Sequence, residues 1–84
     1  MITFKNYDVI PFNWTGNCYI ISSRCHCWFN DGRLHRLDGP ARIYDGTIAG
    51  EYYINSQYFF YGNLKAYWNH PLVVNHTINK ILEL

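Results

Sequence analysis

The stretch WFNDGRLHRLDGPARIYDG, residues 28–46, decides the fold because it alternates short β-type runs with turn-forming residues. Its segment NDG (30–32) is the strongest hairpin signal in the chain, since Asp-Gly suits the two positive-φ positions of a type I′ turn. The run RLHRL (33–37) then predicts a returning strand. The segment DGP (38–40) predicts a second turn with its glycine at positive φ, and ARIY (41–44) predicts the next strand.

Similar short runs lie on both sides of this stretch. Runs rich in β-branched or aromatic residues predict strands at 18–22, 25–29, 51–55 and 57–62. Residues 1–17 carry no clear period and predict a loop or a short edge strand. Strands of this length, with turns about every eight residues, predict a small antiparallel β-meander of about five to six strands.

The pattern changes after residue 62. Asn63 is a good N-cap for a first helix, and Pro71 suits the first position of a second one. Beyond Pro71, apolar residues at helical spacing predict a face that packs on the sheet: Val74, Ile78, Ile81 and Leu82. We therefore predict a single α+β domain over 1–84, with the β-meander at 18–62 and a helical cap at 63–84.

Composition restricts the class of partner. The 84 residues carry a formal net charge of +1 and only 15% charged residues, so nucleic acid held by phosphate contacts is not expected as a partner. The start MITFKNYDVI does not match a signal peptide, and the chain has no apolar run long enough for a membrane span. Three cysteines, an odd number, favour a reducing compartment. These features predict a cytoplasmic protein that does not act at a membrane.

Aromatic residues are the main candidates for binding. Eight Tyr, five Phe and three Trp are more than so small a core can bury, so some must lie on the surface. Many fall in EYYINSQYFFYGNLKAYW (51–68), and nearby arginines suit a phosphate or a partner's carboxylate. The predicted binding residues are Arg36, Arg42, Tyr52, Tyr58, Phe60, Tyr61 and Trp68. Near-zero charge and an open sheet edge also predict a homo-oligomer, a dimer or higher.

Several polar groupings allow a catalytic or metal-binding interpretation and a structural one. His35, Arg36 and Asp38 resemble an acid/base set, but a strand points the first two to opposite faces, which favours His35 and Asp38 as a brace of the hairpin. The segment CHC (25–27), with His35, allows a zinc or Cys–His site, yet two buried cysteines fit the spacing better. His70 and His76 are expected as surface or capping residues. We expect no enzyme, metal or cofactor.

The opening stretch also carries a family resemblance. Residues 26–62 resemble the short β-hairpin repeat of phage, giant-virus and bacterial proteins, with the pattern His-Arg-x-Asp-Gly-Pro-Ala, which is similar to MORN repeats and to the MORN-like repeats of toxin–antitoxin-type proteins. The residues that match are Trp28, Asn30, Gly32, His35, Arg36, Asp38, Gly39, Pro40 and Ala41. A second copy begins at Tyr53 but departs at Gln57 and at residues 60–61. The resemblance implies a β-meander in a phage or bacterial setting, with no shared catalytic residues.

Three hypotheses of function follow. The favoured one is a phage-type protein that binds and inhibits a host defence or regulatory protein through an aromatic and arginine surface. The second is an oligomeric sponge that sequesters a nucleotide signal of host immunity between aromatic and arginine side chains. The third is a structural or assembly module.

Overall fold

The computed structural model describes residues 1–83 as one open sheet followed by two helices. In chain order the elements are β1 (Thr3–Phe4), β2 (Gly16–Ile20), β3 (Cys25–Asn30), β4 (Arg33–Leu34), β5 (Arg42–Tyr44), β6 (Gly50–Ile54), β7 (Gln57–Phe59), α1 (Leu64–Trp68) and α2 (Pro71–Leu82). The predicted α+β class with a C-terminal helix is confirmed. The sheet is mixed, because β1 runs parallel to β2 while the other pairs are antiparallel.

Two-residue turns join the central hairpins. Asp31 and Gly32 have φ values of 50° and 78°, so the predicted type I′ geometry is confirmed between β3 and β4. Gly32 is needed there for a second reason, since a Cβ would lie 1.8 Å from the carbonyl oxygen of Phe12. The β6–β7 turn places Asn55 and Ser56 at positive φ in the same way.

The HRLDGPA segment, residues 35–41, is a loop that leaves one edge of β3 and returns to the same edge. We call it the HRLDGPA excursion, and it is not a turn between two strands that pair with each other. β4 and β5 both pair antiparallel with the same edge of β3, and the backbone of Trp28 bonds to His35 at one end and Ala41 at the other. The prediction of a full strand over 33–37 is therefore wrong, because β4 ends at Leu34. Gly39 does not adopt a positive φ. Its lack of a side chain matters because a Cβ would lie 3.2 Å from the guanidinium carbon of Arg36.

Side-chain alternation gives the sheet two faces, each with its own small core. The cysteine face carries four fully buried side chains from β2 and β3, which pack against half-buried Phe4 and Ile10 of the N-terminal segment: Cys18, Ile20, Cys25 and Cys27. The helix face carries four buried side chains from β6, β7, α1 and α2: Ile54, Phe59, Tyr67 and Val73. The expectation that Cys25 and Cys27 share a face as small buried hydrophobes is confirmed.

α2 begins as predicted but faces the other way. Pro71 is its first residue, and the side chain of His70 caps it by accepting a hydrogen bond from the amide of Leu72 at 3.1 Å. Only Val73 of this helix is buried. The stripe predicted to pack on the sheet is exposed instead, at Val74, Ile78, Ile81 and Leu82. That part of the prediction is wrong, because spacing identifies an apolar face but not which side of the helix meets the sheet.

Candidate binding surface

Arg36 lies on the helix face and holds the HRLDGPA excursion together. Its guanidinium carbon lies 3.9 Å from the ring centre of Trp28, its Nε donates to Asp38 at 2.8 Å, and its Nη1 donates to the carbonyl of Pro40 at 3.0 Å. The hydrogen bond from Arg36 lowers the pKa of the Asp38 carboxyl below its ordinary value. Two of its five N–H donors are thus bonded within the molecule, and the side chain is 24% exposed.

Arg42 lies on the cysteine face and donates three hydrogen bonds. Its Nε donates to Glu51 at 2.5 Å, while Nη1 and Nη2 donate to the hydroxyls of Tyr7 at 3.2 Å and Tyr53 at 3.1 Å. These bonds join the N-terminal segment, β5 and β6. The two arginines predicted to bind together therefore lie on opposite faces of the sheet and do not form one site.

His35 connects the first hairpin to the second. Its Nδ1 accepts a hydrogen bond from the amide of Asn55 at 3.0 Å, and the neighbouring carbonyl of Leu34 accepts one from the amide of Ser56 at 2.9 Å. These bonds hold the β6–β7 turn at its positive φ angles. The expected contact between His35 and Asp38 is not present, because Asp38 is paired with Arg36. Burial, together with nearby His70, lowers the pKa of His35.

Tyr67 is the structural residue that the sequence analysis missed. It is completely buried, and its hydroxyl is within hydrogen-bond distance of the carbonyls of Arg36 and Gly39, at 2.5 and 3.0 Å, and of the amide of Gly39 at 3.3 Å. One hydroxyl of α1 thus satisfies backbone groups of the excursion. The only signal in the sequence was a tyrosine among apolar neighbours in LKAYW, which does not identify its distant partners.

The predicted aromatic residues divide between two places. Phe60, Tyr61 and Trp68 are exposed at the junction of β7 and α1, with exposed fractions of 57%, 78% and 46%. Half-buried Tyr52 packs beside Trp68, with 6.0 Å between their ring centres, and within residues 1–83 no ring contact joins Phe60 or Tyr61 to this pair. We call these four residues the aromatic junction. Tyr58 lies on the opposite face, beside Tyr53 at 5.2 Å between ring centres, so it is not part of this cluster.

The cysteine cluster has the properties of a packed core. The Sγ atoms of Cys25 and Cys27 lie 3.6 Å apart, and both residues are completely buried. Burial raises the pKa of the Cys27 thiol and the adjacent Cys25 raises it further, so the protonated form is favoured at neutral pH. Within residues 1–83, no three His, Cys, Asp or Glu side chains converge as a metal site. The same residues enclose no cavity or cleft of ligand size.

Comparison with known proteins does not assign the chain to a class. No family model matches it, and no curated protein or solved structure is significantly similar to it. In the described part of the chain, no helix is long and apolar enough to cross a bilayer.

Proposed function

We propose that this chain is a small, non-enzymatic binding protein of phage type that inhibits a host defence or regulatory protein in the cytoplasm. The observation that carries the proposal is the aromatic junction. Three large aromatic side chains are exposed there, two of them adjacent in the chain and the third on α1. The formal net charge of the chain is only +1. Exposed aromatic side chains are candidates for protein interaction sites, and Tyr and Trp contribute strongly to such interfaces.

Trp68 of the junction packs against other aromatic rings, which lowers the entropy cost of ordering its side chain on binding. Tyr52 and Tyr67 lie 4.8 Å apart between ring centres, and Trp68 lies 4.9 Å from Tyr67. In this proposal Arg36 and Arg42 stabilise the scaffold, since two N–H groups of Arg36 and three of Arg42 are bonded within the chain. The junction alone makes the contact with the partner.

The other two hypotheses have less support. A nucleotide sponge needs an enclosed anionic-ligand site, and residues 1–83 supply no cavity in one copy, so the ligand would have to bind between copies. An assembly module remains compatible with the same exposed aromatics, with a particle protein as the partner. We therefore rank the inhibitor of a host protein first.

The test is quantitative capture from a bacterial lysate with three baits. The first is the wild-type chain, and the second carries Phe60→Ala, Tyr61→Ala and Trp68→Ala. The matched control carries Phe12→Ala and Ile48→Ala, two residues that are 91% and 107% exposed outside the junction. We expect a stoichiometric partner on the wild-type and control baits, and at least about a thirtyfold loss on the junction variant, which corresponds to removal of one interface hot spot or more.

Circular dichroism and thermal melting of the three baits verify that each is folded. Equal recovery of the partner by the junction variant would contradict the proposal. So would loss of the partner from the control bait alone.

A further inference from the structure

α2 presents its most apolar side to solvent. Val73, the one buried residue of the helix, lies about 140° around the helix axis from Ile78, at 100° per residue. On the outer side, Ile78, Ile81 and Leu82 are 47%, 61% and 77% exposed. A surface helix normally shows the reverse arrangement, with its apolar stripe against the core. The stripe, which we define as Val74, Ile78, Ile81 and Leu82, is therefore uncovered in a single copy.

The rest of the chain supports only the first half of this helix. His70 caps it, Val73 is buried and His76 is half-buried, while the hydroxyl of Thr77 bonds only to the carbonyl of Val73 in the same helix. Residues 78–83 are all exposed. Helices of about twelve residues are marginal in water without tertiary packing. A second surface against the stripe would supply the missing support.

Three of the four residues of the stripe are complementary to themselves. Val74 lies four residues before Ile78 and Leu82 lies four residues after it, so these three are symmetric about Ile78, whereas the counterpart of Ile81 is Asn75. If two copies of α2 pack antiparallel across a twofold axis, Ile78 faces Ile78 of the second copy and Val74 faces Leu82 of the second copy. An isologous dimer interface requires this self-complementarity.

Charge and area are compatible with this pairing. Lys80, the charged residue of α2, lies about 160° from Ile78 and is 4.0 Å from Glu83, so no like charges meet across the stripe. The exposed parts of the four side chains amount to on the order of 400 Å² per copy, within the range of patches that mark association. With exposed Pro71 and Asn75 at the margin, two copies approach the roughly 1,000 Å² that a specific interface needs.

We propose that the occupant of this stripe is α2 of a second copy of the chain, packed antiparallel about a twofold axis at Ile78. The inference does not depend on the proposed host partner. The aromatic junction is formed by α1 and the sheet, and each copy carries its own.

The first test is sedimentation velocity of the intact chain across about a hundredfold range of concentration. We expect a dimer for the wild-type chain and a monomer for Ile78→Lys, because two lysines would meet at the axis. The control Ile48→Lys, at a fully exposed position in the β5–β6 loop, is expected to stay dimeric. Circular dichroism distinguishes loss of the dimer from loss of the fold. A monomeric wild-type chain, or a dimeric Ile78→Lys variant, would overturn the proposal.

The second test measures register by disulfide formation between chains. A mixture of Val74→Cys and Leu82→Cys chains is expected to form a heterodimer under mild oxidation. Val74→Cys alone is expected to cross-link poorly, because the two copies of that position lie about 12 Å apart along the helix axis, beyond disulfide reach. The native cysteines are completely buried and give little background. Efficient self-linking of Val74→Cys without heterodimer formation would indicate a parallel pair and overturn the proposed register.

Discussion

The core on the cysteine face of the sheet and the core on the helix face are stabilised by different kinds of contact. The core of the cysteine face comes from β2 and β3, two strands paired in one hairpin whose buried residues span only positions 18–27. The core of the helix face draws on residues from 37 to 73, and one tyrosine hydroxyl joins α1 to the HRLDGPA excursion. The first core depends on local alternation, whereas the second depends on a polar contact between segments distant in the chain.

The largest stability effect is expected at Tyr67. Tyr67→Ala removes a fully buried aromatic ring and is expected to lower the free energy of unfolding by about 3–5 kcal/mol. Tyr67→Phe keeps the ring but removes the single O–H donor that the carbonyls of Arg36 and Gly39 share, for a loss of about 1–2 kcal/mol. Urea denaturation of the three proteins measures both losses. If Tyr67→Phe were as stable as the wild-type chain, the hydroxyl would not be what holds the two segments together.

A smaller effect is expected on the cysteine face. Cys27→Ser places a hydroxyl in a completely buried site whose nearest polar group is the weakly polar Cys25 thiol, at an expected cost of about 1–3 kcal/mol. Cys27→Ala removes the sulfur without adding a polar group, so we expect it to be the less destabilised variant. Denaturation under reducing conditions compares them. The opposite order would show that the thiol makes a specific polar contact and that this core is not simply apolar.

The smallest effect on stability is expected from a change of pH, and it arises from His35 on the helix face. Because burial lowers the pKa of His35 in the folded chain, the unfolded chain binds its proton more tightly. Stability from this group is therefore complete above about pH 6.5 and is lost as the pH falls below that value. Protonation also removes the lone pair at Nδ1 that accepts from Asn55. Melting between pH 8 and pH 5 is expected to show a shallower decline for His35→Asn than for the wild-type chain; equal slopes would contradict this role.

Local signals in the sequence predicted most of the sheet. Asp31-Gly32 identified its turn, alternation placed Cys25 and Cys27 on one face, and Pro71 identified the start of α2. Each of these depends on neighbours within a few residues, so a pattern can report it.

Contacts between segments that are distant in the chain could not be predicted from such local patterns. The HRLDGPA segment reads as strand, turn and strand, but Tyr67 and Arg36 hold it as an excursion along one edge of β3. The outward orientation of the α2 stripe likewise depends on how Val73 meets the sheet. The aromatic run predicts that Tyr58 and Trp68 lie on one surface, yet strand alternation separates them.

The binding role of the aromatic junction is the central claim, and amide hydrogen exchange tests it most directly. The chain is compared alone and in complex with the partner captured from the lysate. We predict added protection within residues 58–68, with little change in residues 36–42, whose arginines are bonded inside the molecule. Absence of protection from residues 58–68 would contradict the claim. Protection confined to residues 36–42 would contradict it too, and would indicate that the partner binds at Arg36 or Arg42.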